Sequence, residues 1–142
     1  MDLSPKKIGL IFMGIKVVLD TSALVEYFDS TEKGAVVKEI IENRENFILV
    51  PAIVVAEISS KLERRGFEAR QFASSLEAFT IFLDLDSVTS VNAGKRHAQL
   101  RKLEPNISLV DCIVMQIAAD HDNALILTTD HGFKHYKNSK IL

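Results

Sequence analysis

KVVLDTSALV, residues 16–25, is the stretch whose pattern decides the fold. Val17, Val18 and Leu19 form a short apolar run with no polar alternation. A strand covered on one face alternates apolar and polar residues. A continuous β-branched run belongs to a strand covered on both faces, the usual condition of a parallel sheet. The run, 15–19, stops at Asp20, and Thr21 and Ser22 follow as candidate caps of a short helix through about Phe28.

The rest of the chain repeats this alternation. Residues 33–44 carry Val36, Val37, Ile40 and Ile41 at helical spacing, and 47–50 form a second short strand. Pro51 suits the first turn of a helix to about Arg65, closed by Gly66. Residues 68–79 are amphipathic through Phe72, Leu76 and Phe79. Residues 82–88 alternate as a more exposed strand would, and 90–103 form a helix ended by Pro105. The apolar helix 108–121 is central, 124–128 is another buried strand, and 141–142 add a last short one. Strands separated by helices imply a three-layer α/β/α fold with a mostly parallel central sheet.

A chain of 142 residues forms one domain with a proper core. Its 47% hydrophobic and 25% charged residues exclude a disordered chain. The single cysteine, Cys112, excludes an intramolecular disulfide and fits a reducing, cytoplasmic setting. Residues 1–14 read as an N-terminal arm or a misassigned start, because Met13 would begin directly at the first strand; 15–142 form the domain. The basic and apolar start resembles a leader, but Lys16 interrupts its run and no small-residue cleavage site precedes Asp20. The run is also too short to span a bilayer, so no membrane association is expected.

Four acids stand where folding alone rarely places them. Asp20 and Asp130 end apolar runs, and Glu57 and Asp111 sit within apolar segments. A carboxylate among aliphatic side chains must be hydrogen-bonded, paired with a cation or bound to metal. Each has a plainer role: Asp20 and Asp130 as turn residues, Asp111 as part of a helix start with Ser108, Glu57 as partner of Lys61. Together they suggest a shared divalent ion. Asp122 returns to the helical face of Asp111 eleven residues on, which is about 16 Å along the axis and too far to share a site.

The four blocks "VVLDTSALV", "PAIVVAEISSKLERRG", "SLVDCIVMQIAADHDNALILTTDHGF" and, within the last, Thr128–Asp130 with Phe133 behind it resemble the PIN domain family in order and spacing, from about Lys16 to Tyr136. The nearest subgroup resembles the VapC-type toxins of prokaryotic toxin–antitoxin pairs. The resemblance implies a metal-dependent nuclease acting on RNA, with Asp20, Glu57, Asp111 and Asp130 catalytic. Asp20, Asp111 and Asp130 would hold Mg²⁺ or Mn²⁺, Glu57 would be a ligand or orient the attacking water, and Ser22 and Thr128 would support the carboxylates.

The resemblance also implies RNA as substrate and an antitoxin as partner. A homodimer face could use helices 33–44 or 68–79, although both could equally be core. The net charge of −2 leaves RNA contact to local patches. Lys61, Arg64 and Arg65 form one, and Lys95, Arg96, Arg101 and Lys102 another. The alternatives are a non-catalytic RNA-binding or scaffolding PIN domain, and a housekeeping RNA-processing nuclease without antitoxin. A zinc site at His131 and His135 lacks further ligands, and a phosphoaspartyl phosphatase would need an acid where Ser22 stands. The chain has no P-loop and no dinucleotide fingerprint.

Overall fold

The computed structural model describes residues 14–142; the expected N-terminal arm therefore lies, apart from Gly14, outside the described residues. In chain order the elements are β1 (Lys16–Leu19), α1 (Thr21–Phe28), α2 (Glu32–Glu42), β2 (Phe47–Pro51), α3 (Ala52–Arg64), α4 (Ala69–Glu77) and β3 (Ile81–Leu83). There follow α5 (Ser87–Leu100), α6 (Leu109–Asp120), β4 (Leu125–Thr128), a 3₁₀ turn (His131–His135) and β5 (Ser139–Ile141).

The five strands pair in the order β3-β2-β1-β4-β5, every pair parallel. β1 is central because its side chains are apolar on both faces: Val17, Val18 and Leu19 are fully buried. The chain steps outward from β1 to β2 and β3, then crosses back to β4 on the other side. Right-handed crossovers therefore place α1–α4 on one face and α5–α6 on the other. The packing agrees: α1 lies against α2 and α3, α3 against α4, and α5 against α6. The fold is the expected three-layer α/β/α arrangement.

The apolar stripes go where periodicity placed them. Val36, Val37, Ile40 and Ile41 of α2 are core, as are Val54, Ile58 and Leu62 of α3. On the other face α6 buries Cys112, Val114, Met115, Ile117 and Ala118. The stripe of α2 is thus consumed inside the domain rather than left for a second copy. In α4 only Leu76 is buried and Phe72 is half-buried, while Phe79 lies beyond the helix end and is exposed. Gly66 closes α3 in the left-handed region at φ +85°, and Phe67 N–H returns to Leu62 O at 3.0 Å.

Two boundaries differ from the sequence reading. The alternating segment 82–88 is not one strand: β3 ends at Leu83, and the Asp86 carboxylate accepts from Thr89 N–H at 2.7 Å, starting α5 at Ser87. Aspartate with an N–H three residues on is a helix cap, and that local bond overrides a period-two pattern. At the first turn, Asp20 occupies the N-cap position of α1 without a side-chain cap bond. Thr21 and Ser22 are the first helical residues, and their hydroxyls point elsewhere.

Candidate active site

The strand order reverses at β1, so the crevice beyond the carboxyl ends of β1 and β4 is the topological switch point where open α/β sheets take ligands. Asp20 follows β1 and Asp130 lies two residues beyond β4. Glu57 rides on α3, which begins directly after β2, and Asp111 stands in the first turn of α6. All four therefore belong to one end of the sheet. Asp122 lies at the opposite end, paired with Lys16 of β1.

Asp20 is only 5% exposed. Ser22 Oγ and Thr128 Oγ1 each donate to its Oδ2 at 2.8 Å. Each hydroxyl in turn accepts a backbone N–H: Thr129 on Ser22 at 2.9 Å and Asp130 on Thr128 at 3.0 Å. Ser22 Oγ and Thr128 Oγ1 also lie 3.0 Å from each other, so the two hydroxyls and Asp20 Oδ2 form one hydrogen-bonded cluster.

The other acids lie shallower, Asp111 and Glu57 half-buried and Asp130 exposed. Ser108 Oγ accepts from Asp111 N–H at 3.0 Å, the cap expected from their spacing. Asp130 Oδ1 accepts from Gly132 N–H at 2.8 Å. A Cβ on Gly132 would lie 3.2 Å from Asp130 Oδ1 and 3.9 Å from Asp111 Oδ2, so bare backbone floors the space between these two carboxylates. Glu57 does not pair with Lys61; its Oε1 accepts from Thr21 Oγ1 at 2.6 Å. Nothing local in the sequence joins positions 21 and 57, which is why Thr21 reads there only as a cap.

Burial pushes the Asp111 carboxyl up to about 6, and the Asp20 and Asp130 charges add to the rise against the Ser108 hydrogen bond, with Glu57 contributing least. Burial also raises Asp20; the Ser22 and Thr128 hydroxyls and the Thr21 backbone oppose it, and Glu57 adds a little. The four carboxylates thus feel one another, and no ion pair among the described residues involves any of them.

This donor set fits a hard divalent cation. It is all oxygen, it carries uncompensated negative charge, and Gly132 leaves open space between two of its members. Among the described residues no three acid, His or Cys side chains already close into a ligand cage. Mg²⁺ needs no such cage, since it keeps several waters and takes one or two carboxylates. Asp20, Asp111 and Asp130 are the groups that would hold it.

The two basic patches differ in availability. Lys61 and Arg64 are exposed and, with Val25 and Arg65, line a groove of about 320 Å³ between α1 and α3. Arg65 is already engaged: it forks onto Asp29 at 2.6 and 3.3 Å and lies over the rings of Phe28 and Phe67. In the second patch Arg96 is half-buried on Gln116, whereas Lys95, Arg101 and Lys102 are exposed. Arg101 and Lys102 begin the loop into α6, which His97 Nε2 ties to Ile107 O at 3.1 Å. His135 faces Glu104 at 3.5 Å rather than a metal ligand set.

The PIN domain model matches residues 17–138. The chain belongs to the PIN domain family. Its fold is similar to a chain of VapBC2 from Rickettsia felis bound to a promoter DNA fragment, with TM-score 0.67, 19% identity, and coverage of 90% of this chain and 98% of that chain. It is also similar to Mycobacterium tuberculosis VapC20, a sarcin-ricin loop cleaving toxin, with TM-score 0.69, 16% identity, and coverage of 86% and 95%. DNA-bound VapBC from Salmonella typhimurium matches with TM-score 0.67, 17% identity, and coverage of 90% and 97%. At these identities the likeness is one of fold. No curated protein matches the chain in sequence. No helix among the described residues is long and apolar enough to cross a membrane.

Proposed function

We propose that this PIN domain is a Mg²⁺- or Mn²⁺-dependent endoribonuclease and the toxin of a toxin–antitoxin pair. The observation that carries the reading is Asp20: a buried carboxylate oriented by two hydroxyls, beside Asp111 and Asp130, with no cation to offset it. Hydroxyls alone can satisfy one buried acid, but four acids gathered at one end of the sheet with no ion pair among them are a charge that a divalent ion would offset. The fold relatives that are VapBC or toxin–antitoxin assemblies support an antitoxin partner and a toxin role. VapC20, a sarcin-ricin loop cleaving toxin, supports RNA as substrate.

A bound divalent ion would supply charge neutralisation on the phosphate and a more acidic water. The chain's own residues do the rest. Ser22 and Thr128 keep Asp20 from rotating. Ser108 fixes the helix turn that carries Asp111, whose carboxyl must lose its proton before it can bind. Gly132 leaves room for phosphate oxygens or waters between Asp111 and Asp130. Lys61 and Arg64 on one side, and Arg101 and Lys102 on the other, offer positive charge to a backbone that the acids alone would repel. The lone buried Cys112 is consistent with work in the cytoplasm.

The test is RNA cleavage by purified protein. Cleavage should stop with excess EDTA and return with Mg²⁺ or Mn²⁺. Undiminished cleavage in EDTA would remove the mechanism. RNA binding without turnover would favour the scaffolding role, although such a role gives no reason to keep all four acids. A short adjacent gene for a DNA-binding antitoxin separates the toxin from a housekeeping nuclease.

A further inference from the structure

We propose that Thr21 is a positioning residue that turns Glu57 so that only Oε2 meets the attacking water. The proposal rests on the nuclease reading above and deepens it. Thr21 is the first residue of α1, 6% exposed, and its Oγ1 lies 2.6 Å from Glu57 Oε1 on α3. The distance is that of a hydroxyl donating to a carboxylate, the stronger kind of hydrogen bond. With Oε1 bonded to the hydroxyl, Oε2 is the oxygen without a hydrogen-bond partner among the described residues. Glu57 offers one oxygen in a fixed direction.

The surroundings assign that oxygen to water rather than to the ion. Asp111 and Asp130 both border Gly132, and Glu57 is held instead by the Thr21 hydroxyl. It stands half-buried on a different helix from the residues that hold Asp20, and Thr21 is the link between them. Because Thr21 follows Asp20 directly, one turn of backbone fixes both acids: Ser22 orients Asp20 and Thr21 orients Glu57. The angle between ion and water would thus be set by α1, not by the ion's ligands.

The experiment compares wild type, Thr21→Val, Thr21→Ala and Thr21→Ser. The readouts are cleavage of mixed ribosomal and transfer RNA at saturating Mg²⁺, Mn²⁺ binding by calorimetry, and thermal melting. Loss of the hydroxyl should lower kcat by about 10–100-fold. Mn²⁺ affinity should stay within about threefold, and Thr21→Ser should restore turnover, because the group needed is the donor and not the ligand set. Thr21→Ala serves as the hydroxyl-free variant if valine does not fold. Normal kcat in a folded hydroxyl-free variant overturns the role of Thr21 while leaving the nuclease reading intact. Loss of Mn²⁺ affinity in step with kcat also overturns it, since Glu57 would then be a ligand. A wild type that cleaves no RNA with either ion overturns the nuclease reading, and this proposal with it.

Discussion

Thr128 Oγ1 donates to Asp20 Oδ2 at 2.8 Å, joining the carboxyl ends of two adjacent parallel strands whose residues are 108 positions apart. Asp130 N–H donates to the same hydroxyl at 3.0 Å, and Ser22 Oγ lies 3.0 Å from it. Thr128→Val keeps the shape and deletes these bonds. Leaving a buried carboxylate and an N–H short of partners should cost about 1–3 kcal/mol in a denaturant melt. Cleavage should fall by about 10–100-fold, because Asp20 can then rotate. Unchanged turnover would show that Ser22 alone suffices.

Asp20→Asn should abolish cleavage and leave the fold intact, since the amide oxygen can still accept from Ser22 and Thr128. In metal-free buffer the variant should melt higher, by roughly 2–5 °C, through relief of a buried charge beside Asp111. Asp122→Asn is the control: Asp122 lies at the other end of the sheet against Lys16. Full activity in Asp20→Asn free of contaminating nuclease would reject the site.

Asp111 makes the pH dependence specific. Its folded value of about 6 lies above the ordinary 3.8, so the folded state holds the proton more tightly than the unfolded one. In EDTA its contribution to stability is therefore greatest below about pH 4, declines as pH rises to about 6 and is flat above. Asp20 shifts in the same direction. The gap in denaturation midpoint between wild type and Asp111→Asn isolates the effect and should widen from pH 4 to 6. Stabilisation by added Mg²⁺ should grow through the same window, because the ion competes with that proton. A gap that does not change with pH would show that Asp111 is not perturbed.

Gly132→Ala tests the open floor. The added methyl would sit 3.2 Å from Asp130 Oδ1 and 3.9 Å from Asp111 Oδ2. Mn²⁺ affinity by calorimetry should weaken by about 10-fold, with little change in metal-free melting temperature. Equal affinity would place the ion elsewhere.

Arg64 and Arg65 are neighbours with different fates. Arg64→Glu should weaken binding to all RNA sequences alike and lower the salt slope by about 1 or more. Arg65→Gln should act mainly on stability, since its guanidinium already forks onto Asp29 and covers Phe28 and Phe67. If Arg64→Glu leaves affinity and slope unchanged, Arg101 and Lys102 become the residues that carry the RNA track.

The sequence by itself determined the layers, the buried strands and the position of each acid along its own element. These follow from near-neighbour rules: the unbroken run Val17–Leu19 must be covered twice, and α2 and α6 show their faces in their periodicity. Ser108 and Asp111 were legible as a cap because three residues of helix fix their separation. Segment 82–88 was misread because one Asp86–Thr89 bond outweighs an alternating pattern. Only the tertiary structure decided that Thr128 joins Ser22 on Asp20, that Thr21 holds Glu57, and that Arg65 is bound by Asp29. Those bonds join positions 36 to 108 residues apart. Their geometry depends on how helices and strands dock, and hydrophobic periodicity along the chain carries no information about which hydroxyl meets which carboxylate once the layers close.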